Sequence, residues 1–380
     1  MKLAVSYSGY LPGEKYGGPV SSLFNLTELL GGEVQIYIIC CDHDFKDPTP
    51  YRDVHEGWNR VGKAQVMYLP DAEFTSERYR EILSRLKPDA VYISSIFSAS
   101  TNLPLLRAAR KLHLPVLLAP RGELNPDALG RKAAKKKAYL LYLKLTGLLR
   151  RVSFQATSDG EKKDIQRALR VSPDRVYMIP NVPALPEPKL RSTKRAGEVK
   201  LCFSGRLVEN KNLHVAIGAC FMAKEKVTLD IYGANEDAAY WERCRALMEK
   251  APQNVHIEYK GAVAPSRMRQ LYGEYDALIS PTQFENYGQS IAEAMLHDVP
   301  VIISRGTTPW DEVESASCGW TVPLDEPEGF TAAIDSLARM DQAAYEALLE
   351  RLRRYCSGRF DYAALKSQYL AAFEQVGRTK

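Results

Sequence analysis

Residues 281–304 read PTQFENYGQSIAEAMLHDVPVIIS. The pattern is a loop, then a helix of apolar spacing, then a short buried strand. One residue breaks it: Glu293 sits inside the apolar run S-I-A-E-A-M-L. Ionised carboxylates are rarely buried without a partner, because desolvation costs several kcal/mol. Glu285 stands eight residues earlier, before the predicted helix start near Gly288. Free backbone N–H groups near Gly288, Gln289 and Ser290 would project from that end and form a ready anion site. The two acids would then flank an anion, each able to accept hydroxyl hydrogen bonds. The alternative is that Glu285 merely caps the helix and Glu293 is exposed.

Working outward, the second half of the chain alternates strands and helices. Strand VKLCFSG leads to helix NLHVAIGACFMA, strand VTLDIYG, helix AAYWERCRALMEK and strand VHIEYKG. A short helix near SRMRQLYGEY precedes ALISP, and VPVIIS follows the opening helix. The first half has the same rhythm, in KLAVSYSG, EVQIYIICC, DAVYISSI, PVLLAP, FQATSD and VYMIPN. There, PVSSLFNLTELL places Val20, Leu23, Phe24 and Leu30 on one face, and Gly31-Gly32 stops the helix. Continuous apolar strands alternating with helices indicate α/β architecture with parallel sheets covered on both faces. Between the halves, the proline-rich, basic stretch NVPALPEPKLRSTKRAGEVK marks a linker over residues 184–198. Open sheets of this kind bind ligands beyond the carboxyl ends of their strands, so a cleft between two doubly wound halves is the default site.

Length and composition agree. A chain of 380 residues exceeds one ordinary core and suggests two domains. The seven cysteines show no CxxC pair or Cys/His metal spacing, which reads as reduced cytosolic thiols. The start MKLAVSYSGYLPG has no signal-peptide pattern and reads as a first strand. No run of about 20 apolar residues occurs, so no membrane span is expected. The net charge is only +5, yet RKAAKKKAYLLYLKLTGLLRR, residues 131–151, contains many bases and no acid. That stretch is a solvated helix face, an attractor of anionic substrate, or a contact for an anionic membrane surface. No nucleic-acid-binding motif accompanies it. Neither G-x-G-x-x-G nor G-x-x-x-x-G-K-[ST] occurs, which argues against an ordinary dehydrogenase or P-loop ATPase.

Two more stretches carry candidate chemistry. In FSGRLVENKNLHVAI, a strand ends at Gly205, and Arg206 and Lys211 follow before a helix. Two cations at a strand's carboxyl end suit a diphosphate; the alternative is a pair of surface cations. In YLPGEKYGGPVSSL, Gly17 and Gly18 precede a helix, permitting close backbone approach to a ligand or making a plain flexible turn.

Together these residues resemble the retaining glycosyltransferases of family 4. The resemblance rests on F-S-G-R-L-x-x-x-K-N, then E-N-Y-G-Q-S-I-A-E-A-M with its E-x7-E spacing, then P-V-I-I-S, in the expected order. GGP near the start, ATSDGE at 156–161 and IPNV at 179–182 also fit, while APRGELNP and TPW at 308–310 resemble a bacterial surface-polysaccharide branch.

The resemblance implies the GT-B fold, two Rossmann-like doubly wound domains facing across a cleft. The terminal helix within FDYAALKSQYLAAFEQV would return to the N-terminal domain, making the domains 1–183 plus 362–380 and 199–361. Apolar Leu365, Tyr369 and Phe373 would supply its contact.

It also implies roles. Arg206 and Lys211 would neutralise the diphosphate leaving group, with Glu285 facing the donor sugar; these three form the implied catalytic set. Glu293 would hold the ribose hydroxyls. Asn286, Tyr287, Gly288, Gln289 and Ser290 would form the donor loop, with Gly288 and Gln289 amides meeting the β-phosphate. Gly17 and Gly18 would approach the diphosphate, Gly205 would belong to the donor site, and Val263 would lie near the base. Arg121 stands where many members have a histidine, so Arg121 and Glu123 are candidates for acceptor or sugar contacts.

No metal and no cofactor are implied. The donor would be a UDP- or GDP-sugar and the acceptor a glycan or lipid-linked glycan. The enzyme would be a metal-independent hexosyltransferase, cytoplasmic or at the inner face of the cell membrane. The rival readings are a GT-B-like nucleotide-sugar epimerase and a noncatalytic sugar-nucleotide-binding protein.

Overall fold

The computed structural model describes residues 1–130, 132–185 and 193–378. The chain divides into two compact units, Met1–Val182 with Tyr362–Lys380, and Pro183–Asp361.

The first unit contains β1 (Lys2–Ser6), β2 (Gln35–Cys41), β3 (Trp58–Val61), β4 (Ala64–Leu69), β5 (Ala90–Ser94), β6 (Val116–Ala119), β7 (Val152–Ala156) and β8 (Val176–Met178). They form one sheet in the order β3-β4-β2-β1-β5-β6-β7-β8. The expected parallel pairing holds except at one edge, where β3 runs antiparallel to β4 with Val61 opposite Ala64. This corrects the wholly parallel reading of the first half. A hairpin needs only two turning residues, and here Gly62 supplies a left-handed φ of 56°. A four-residue, half-buried edge strand leaves little trace in apolar periodicity.

The second unit contains β9 (Glu198–Ser204), β10 (Lys226–Tyr232), β11 (Val255–Gly261), β12 (Ala277–Ser280), β13 (Val301–Ser304) and β14 (Trp320–Val322). Their order is β11-β10-β9-β12-β13-β14, and every pairing is parallel. The order reverses between β1 and β5 in the first sheet and between β9 and β12 in the second. At such a reversal the crossover connections leave to opposite faces, opening a crevice at the carboxyl ends of the two central strands.

The helix Tyr362–Arg378 belongs to the first unit. Tyr369, Phe373 and Val376 are buried, each worth about 1.5–3 kcal/mol if withdrawn fully from water. The Tyr369 hydroxyl donates to the Pro180 carbonyl at 2.9 Å and accepts from Gln155 Nε2 at 2.8 Å. Phe373 meets Tyr92 edge to face at 5.7 Å between ring centres.

The predicted linker, 184–198, lies partly outside the described residues, at 186–192. Its far end is not a free tether. The Lys194 ammonium is buried 3.8 Å from Asp276, and its backbone N–H donates to Gln342 Oε1 at 2.7 Å. Arg131, the first residue of the basic stretch, also lies outside the described residues. No disulfide joins the seven cysteines, all of them buried. Among the described residues no helix is long and apolar enough to cross a membrane.

Candidate active site

The second unit assembles its candidate residues on the carboxyl edge of its sheet. Glycine directly follows β9 and β10, at Gly205 and Gly233, and ends the neighbouring β11 at Gly261. Gly233 has φ 150°, and a Cβ there would lie 1.8 Å from the Gly205 carbonyl oxygen. Only glycine permits that approach, and three bare backbones leave a shelf without side chains.

Beyond Gly205 the chain carries Arg206 and a short 3₁₀ turn, Glu209–Lys211. This turn is tied to the segment after β12. Asn212 Nδ2 donates to the Pro281 carbonyl at 2.9 Å, while Gln283 N and Thr282 Oγ1 donate to the Asn210 carbonyl at 2.9 and 3.1 Å. The result brings together two predicted residues 74 positions apart: the Lys211 ammonium is ion-paired with the Glu285 carboxylate. Arg206 has a different partner, Glu236, at 3.2 Å, and is half exposed. Neither cation therefore stands bare, as a plain pair of diphosphate ligands would.

Glu285 is held from the other side by the loop after β13. Its N–H donates to the Thr307 carbonyl at 2.8 Å, and the Ser304 hydroxyl donates to the Thr282 carbonyl at 2.5 Å. Trp310, almost fully buried, donates its indole N–H to the Tyr287 carbonyl at 2.5 Å and packs edge-on against the Tyr287 ring. The TPW segment is thus a brace for the loop Glu285–Gly288.

The helix of the opening stretch spans Gln289–Leu296. Its N-cap is Gly288 at φ 71°, where a Cβ would come within 3.0 Å of Ile291 and 3.2 Å of the Trp310 indole nitrogen. No side chain caps the helix and its first turn carries no acid. The positive end of the peptide dipoles is left for a ligand. Glu293 is 4% exposed, packed between buried Ala292 and Ala294, and accepts from Gln289 Nε2 at 3.1 Å. The exposed-glutamate alternative is removed. Nearby, burial first and the Glu293 charge second push the Tyr272 hydroxyl far above its ordinary range. Val263 is half-buried after β11.

The first unit is built in the same way. Gly17, φ 71°, is the N-cap of helix Gly18–Leu30, with no side-chain cap and open space where a Cβ would project. Arg121, φ 58°, folds its guanidinium back into the unit. It donates to Ser22 Oγ at 3.1 Å, Tyr92 Oη at 3.0 Å, Ser94 Oγ at 3.3 Å, and Asn181 Oδ1. Glu123 accepts from Ser95 Oγ at 2.7 Å and from the Ile96 and Phe97 amides at 2.6 and 3.2 Å. Burial raises its pKa despite those bonds. Both candidate residues are bonded to neighbouring segments of their own unit. Glu161, the last residue of ATSDGE, completes this frame by accepting from Gly122 N at 2.6 Å and Thr157 N at 2.8 Å. Asn181 of IPNV is the other motif residue drawn in.

Sequence reasoning missed Asn212, Thr307, Gly233, Glu236 and Glu161 as parts of these frames. Asn212 and Glu161 lay inside quoted motifs without an assigned role, and Gly233 ended a predicted strand; Thr307 and Glu236 carried no local signal.

Two Rossmann-like parallel-sheet α/β units with this connectivity define a GT-B fold. The chain belongs to the family 4 glycosyltransferases: residues 16–182 match "Glycosyltransferase Family 4" and residues 187–355 match "Glycosyl transferases group 1". WcaL of Salmonella typhimurium, whose name assigns it provisionally to colanic acid biosynthesis, is 24% identical over 49% of this chain and 48% of its own length. The chain thus spans about half the length of that relative. A GDP-mannose-dependent α-mannosyltransferase of Mycolicibacterium smegmatis is 24% identical over 93% of this chain and 90% of its own. Among solved structures, HepE of Anabaena with UDP and glucose superposes with a TM-score of 0.72 at 15% identity, covering 99% and 100% of the two chains. Sucrose-phosphate synthase of Thermosynechococcus elongatus gives 0.75 at 16% identity, covering 100% of both.

Proposed function

We propose that the protein transfers a hexosyl group from a nucleotide diphosphate sugar to a glycan or lipid-linked acceptor in polysaccharide or glycolipid biosynthesis, keeping the anomeric configuration. The observation that carries this reading is the buried Glu293 one turn inside a helix start with no side-chain cap, with the Lys211–Glu285 pair on the loops leading into the same helix and out of β9. A buried carboxylate, acceptor-only when ionised, suits a vicinal diol such as ribose, whose two hydroxyls both donate. The backbone amides at Gly288, Gln289 and Ser290, at a helix start with no side-chain cap, suit the β-phosphate. Relatives supply both nucleotide classes: HepE was solved with UDP-glucose, and the mycobacterial relative is named for GDP-mannose.

In this reading the diphosphate competes with Glu285 for Lys211. As the glycosidic C–O bond breaks, negative charge grows on the leaving phosphate. Lys211, Arg206 and the helix amides meet that charge without a divalent cation at the diphosphate. Glu285, released from the ammonium, faces the cationic anomeric centre. The acceptor attacks from the face the phosphate leaves, and a leaving-phosphate oxygen takes its proton.

The helix Ala133–Leu145 presents Leu141 and Leu145, 55% and 79% exposed, with Lys137, Lys144 and Arg150 exposed nearby. Exposed leucines among bases suit an anionic bilayer that bears a lipid-linked acceptor.

The test is a donor screen. UDP- and GDP-sugars are ranked by thermal shift, and hits are assayed for slow hydrolysis with the released sugar's anomer read by NMR. One class should stabilise the protein and release sugar of unchanged configuration. Inverted product would overturn retention, and free epimer would favour an epimerase.

A further inference from the structure

Cys41 ends β2, and Asp42 and His43 follow it directly. Cys41 pairs in register with Leu69 at the end of the neighbouring β4, which brings Asp71 alongside. Cys41 Sγ and His43 Nε2 each lie 3.8 Å from Asp71 Oδ1, and the three donor atoms are mutually within 4.8 Å. None of these residues is among those assigned above to donor binding.

A second observation concerns the imidazole. His43 Nδ1 lies 2.8 Å from Asp42 Oδ1. In the tautomer that donates from Nδ1 to that carboxylate, Nε2 is the nitrogen that could coordinate a metal. The 3.8 Å between Nε2 and the Asp71 oxygen is too long for a hydrogen bond. A carboxylate holding the far nitrogen of a histidine is the outer arrangement that metal-binding imidazoles use.

We propose that Cys41, His43 and Asp71 form a binding site for one zinc ion, oriented by Asp42 and keeping a fourth position open to water. A thiolate, an imidazole and a carboxylate are a donor set of intermediate softness that suits zinc over magnesium or calcium. Tetrahedral zinc with ordinary bond lengths sets its donors about 3.3–3.6 Å apart, so closure needs side-chain shifts of about 1 Å or less. The charges balance: one thiolate and one carboxylate neutralise the dication, and histidine stays neutral. Without metal, burial pushes the Cys41 thiol up to about 12, so it carries its proton. Zinc binding breaks that S–H bond, forms Zn–S and releases the proton to water. The ion would clip the ends of β2 and β4 together. It would also fix His43, whose carbonyl accepts from the Tyr16 hydroxyl at 3.2 Å, one residue before Gly17.

The experiment titrates the full, metal-stripped chain with cobalt(II) and then zinc. The expected result is one equivalent of cobalt with a near-ultraviolet thiolate charge-transfer band, displaced by zinc. Cys41→Ser and His43→Ala should each abolish the site, and Asp42→Asn should weaken it by about 10–100-fold. His43 is only part-buried, so His43→Ala keeps the test open even where Cys41→Ser fails to fold. Cobalt binding without the thiolate band, unchanged binding by His43→Ala, or no stoichiometric uptake by the unaltered chain would each overturn the site.

Discussion

The Lys211 ammonium is ion-paired with the Glu285 carboxylate where the strand order of the second sheet reverses, and the two side chains are only 13% and 22% exposed. The pair links two loops through their charges. Removing one partner of a fully buried pair costs about 3–5 kcal/mol. This pair keeps some water contact, so Lys211→Ala should lose about 1–3 kcal/mol by leaving Glu285 uncompensated. The double variant Lys211→Ala/Glu285→Ala should recover part of the loss, with a coupling of about 0.5–3 kcal/mol in urea unfolding. Additive losses would mean that the pair has no energetic substance.

Turnover should depend on the cations more steeply than stability does. Lys211→Ala should lower kcat by about 10²-fold or more, the usual effect of removing a preorganised charge from a transition state. Arg206→Ala should act in the same direction, because Glu236 must yield Arg206 to the diphosphate. Steady-state kinetics with near-normal kcat/KM in both variants would remove the leaving-group role.

Trp310 offers a cleaner separation of brace from chemistry. Trp310→Phe keeps most of the ring packing and deletes the N–H that holds the Tyr287 carbonyl. Stability should fall by about 1 kcal/mol, the net value of one hydrogen bond. The Glu285 loop should loosen, so kcat should fall while nucleotide affinity stays within a few-fold. Equal loss of both would place Trp310 in nucleotide binding instead.

Much of this site was legible in the sequence. Gly288 before an apolar run marked the helix start, and a glutamate inside that run marked a buried acid. What escaped was long-range bracing. Asn212 and Thr307 act by hydrogen bonds to or from backbone groups many residues away, and periodicity says nothing about such partners. Arg121 illustrates the limit differently. It was a candidate for acceptor or sugar contacts, and four neutral acceptors from three segments hold its guanidinium. The β3–β4 hairpin was missed because a four-residue edge strand has too short a pattern to register.

His214 supplies a pH prediction. Desolvation lowers its pKa below the ordinary histidine range, and its Nδ1 lies 3.0 Å from the Tyr240 hydroxyl. Above the unfolded pKa of about 6.5, both states are neutral and the contribution is fully present. Below it the unfolded chain takes up a proton first, so stability is lost as pH falls toward the folded pKa. Urea midpoints from pH 7.5 to 5 should fall less steeply in His214→Gln. A variant slope equal to that of the unaltered protein would show that His214 does not contribute.

The most direct test of the central claim is calorimetric titration of the free nucleoside diphosphate into Glu293→Gln and Glu285→Gln, beside the unaltered protein. Glu293 should hold the ribose equally in ground and transition states, so Glu293→Gln should weaken nucleotide binding by about 1–3 kcal/mol. Glu285 should act only where charge develops at the sugar, so Glu285→Gln should bind the nucleotide within a few-fold of normal. Normal binding by Glu293→Gln with loss in Glu285→Gln would reverse the two roles, and normal binding by both would contradict the assignment of the buried acid to the donor.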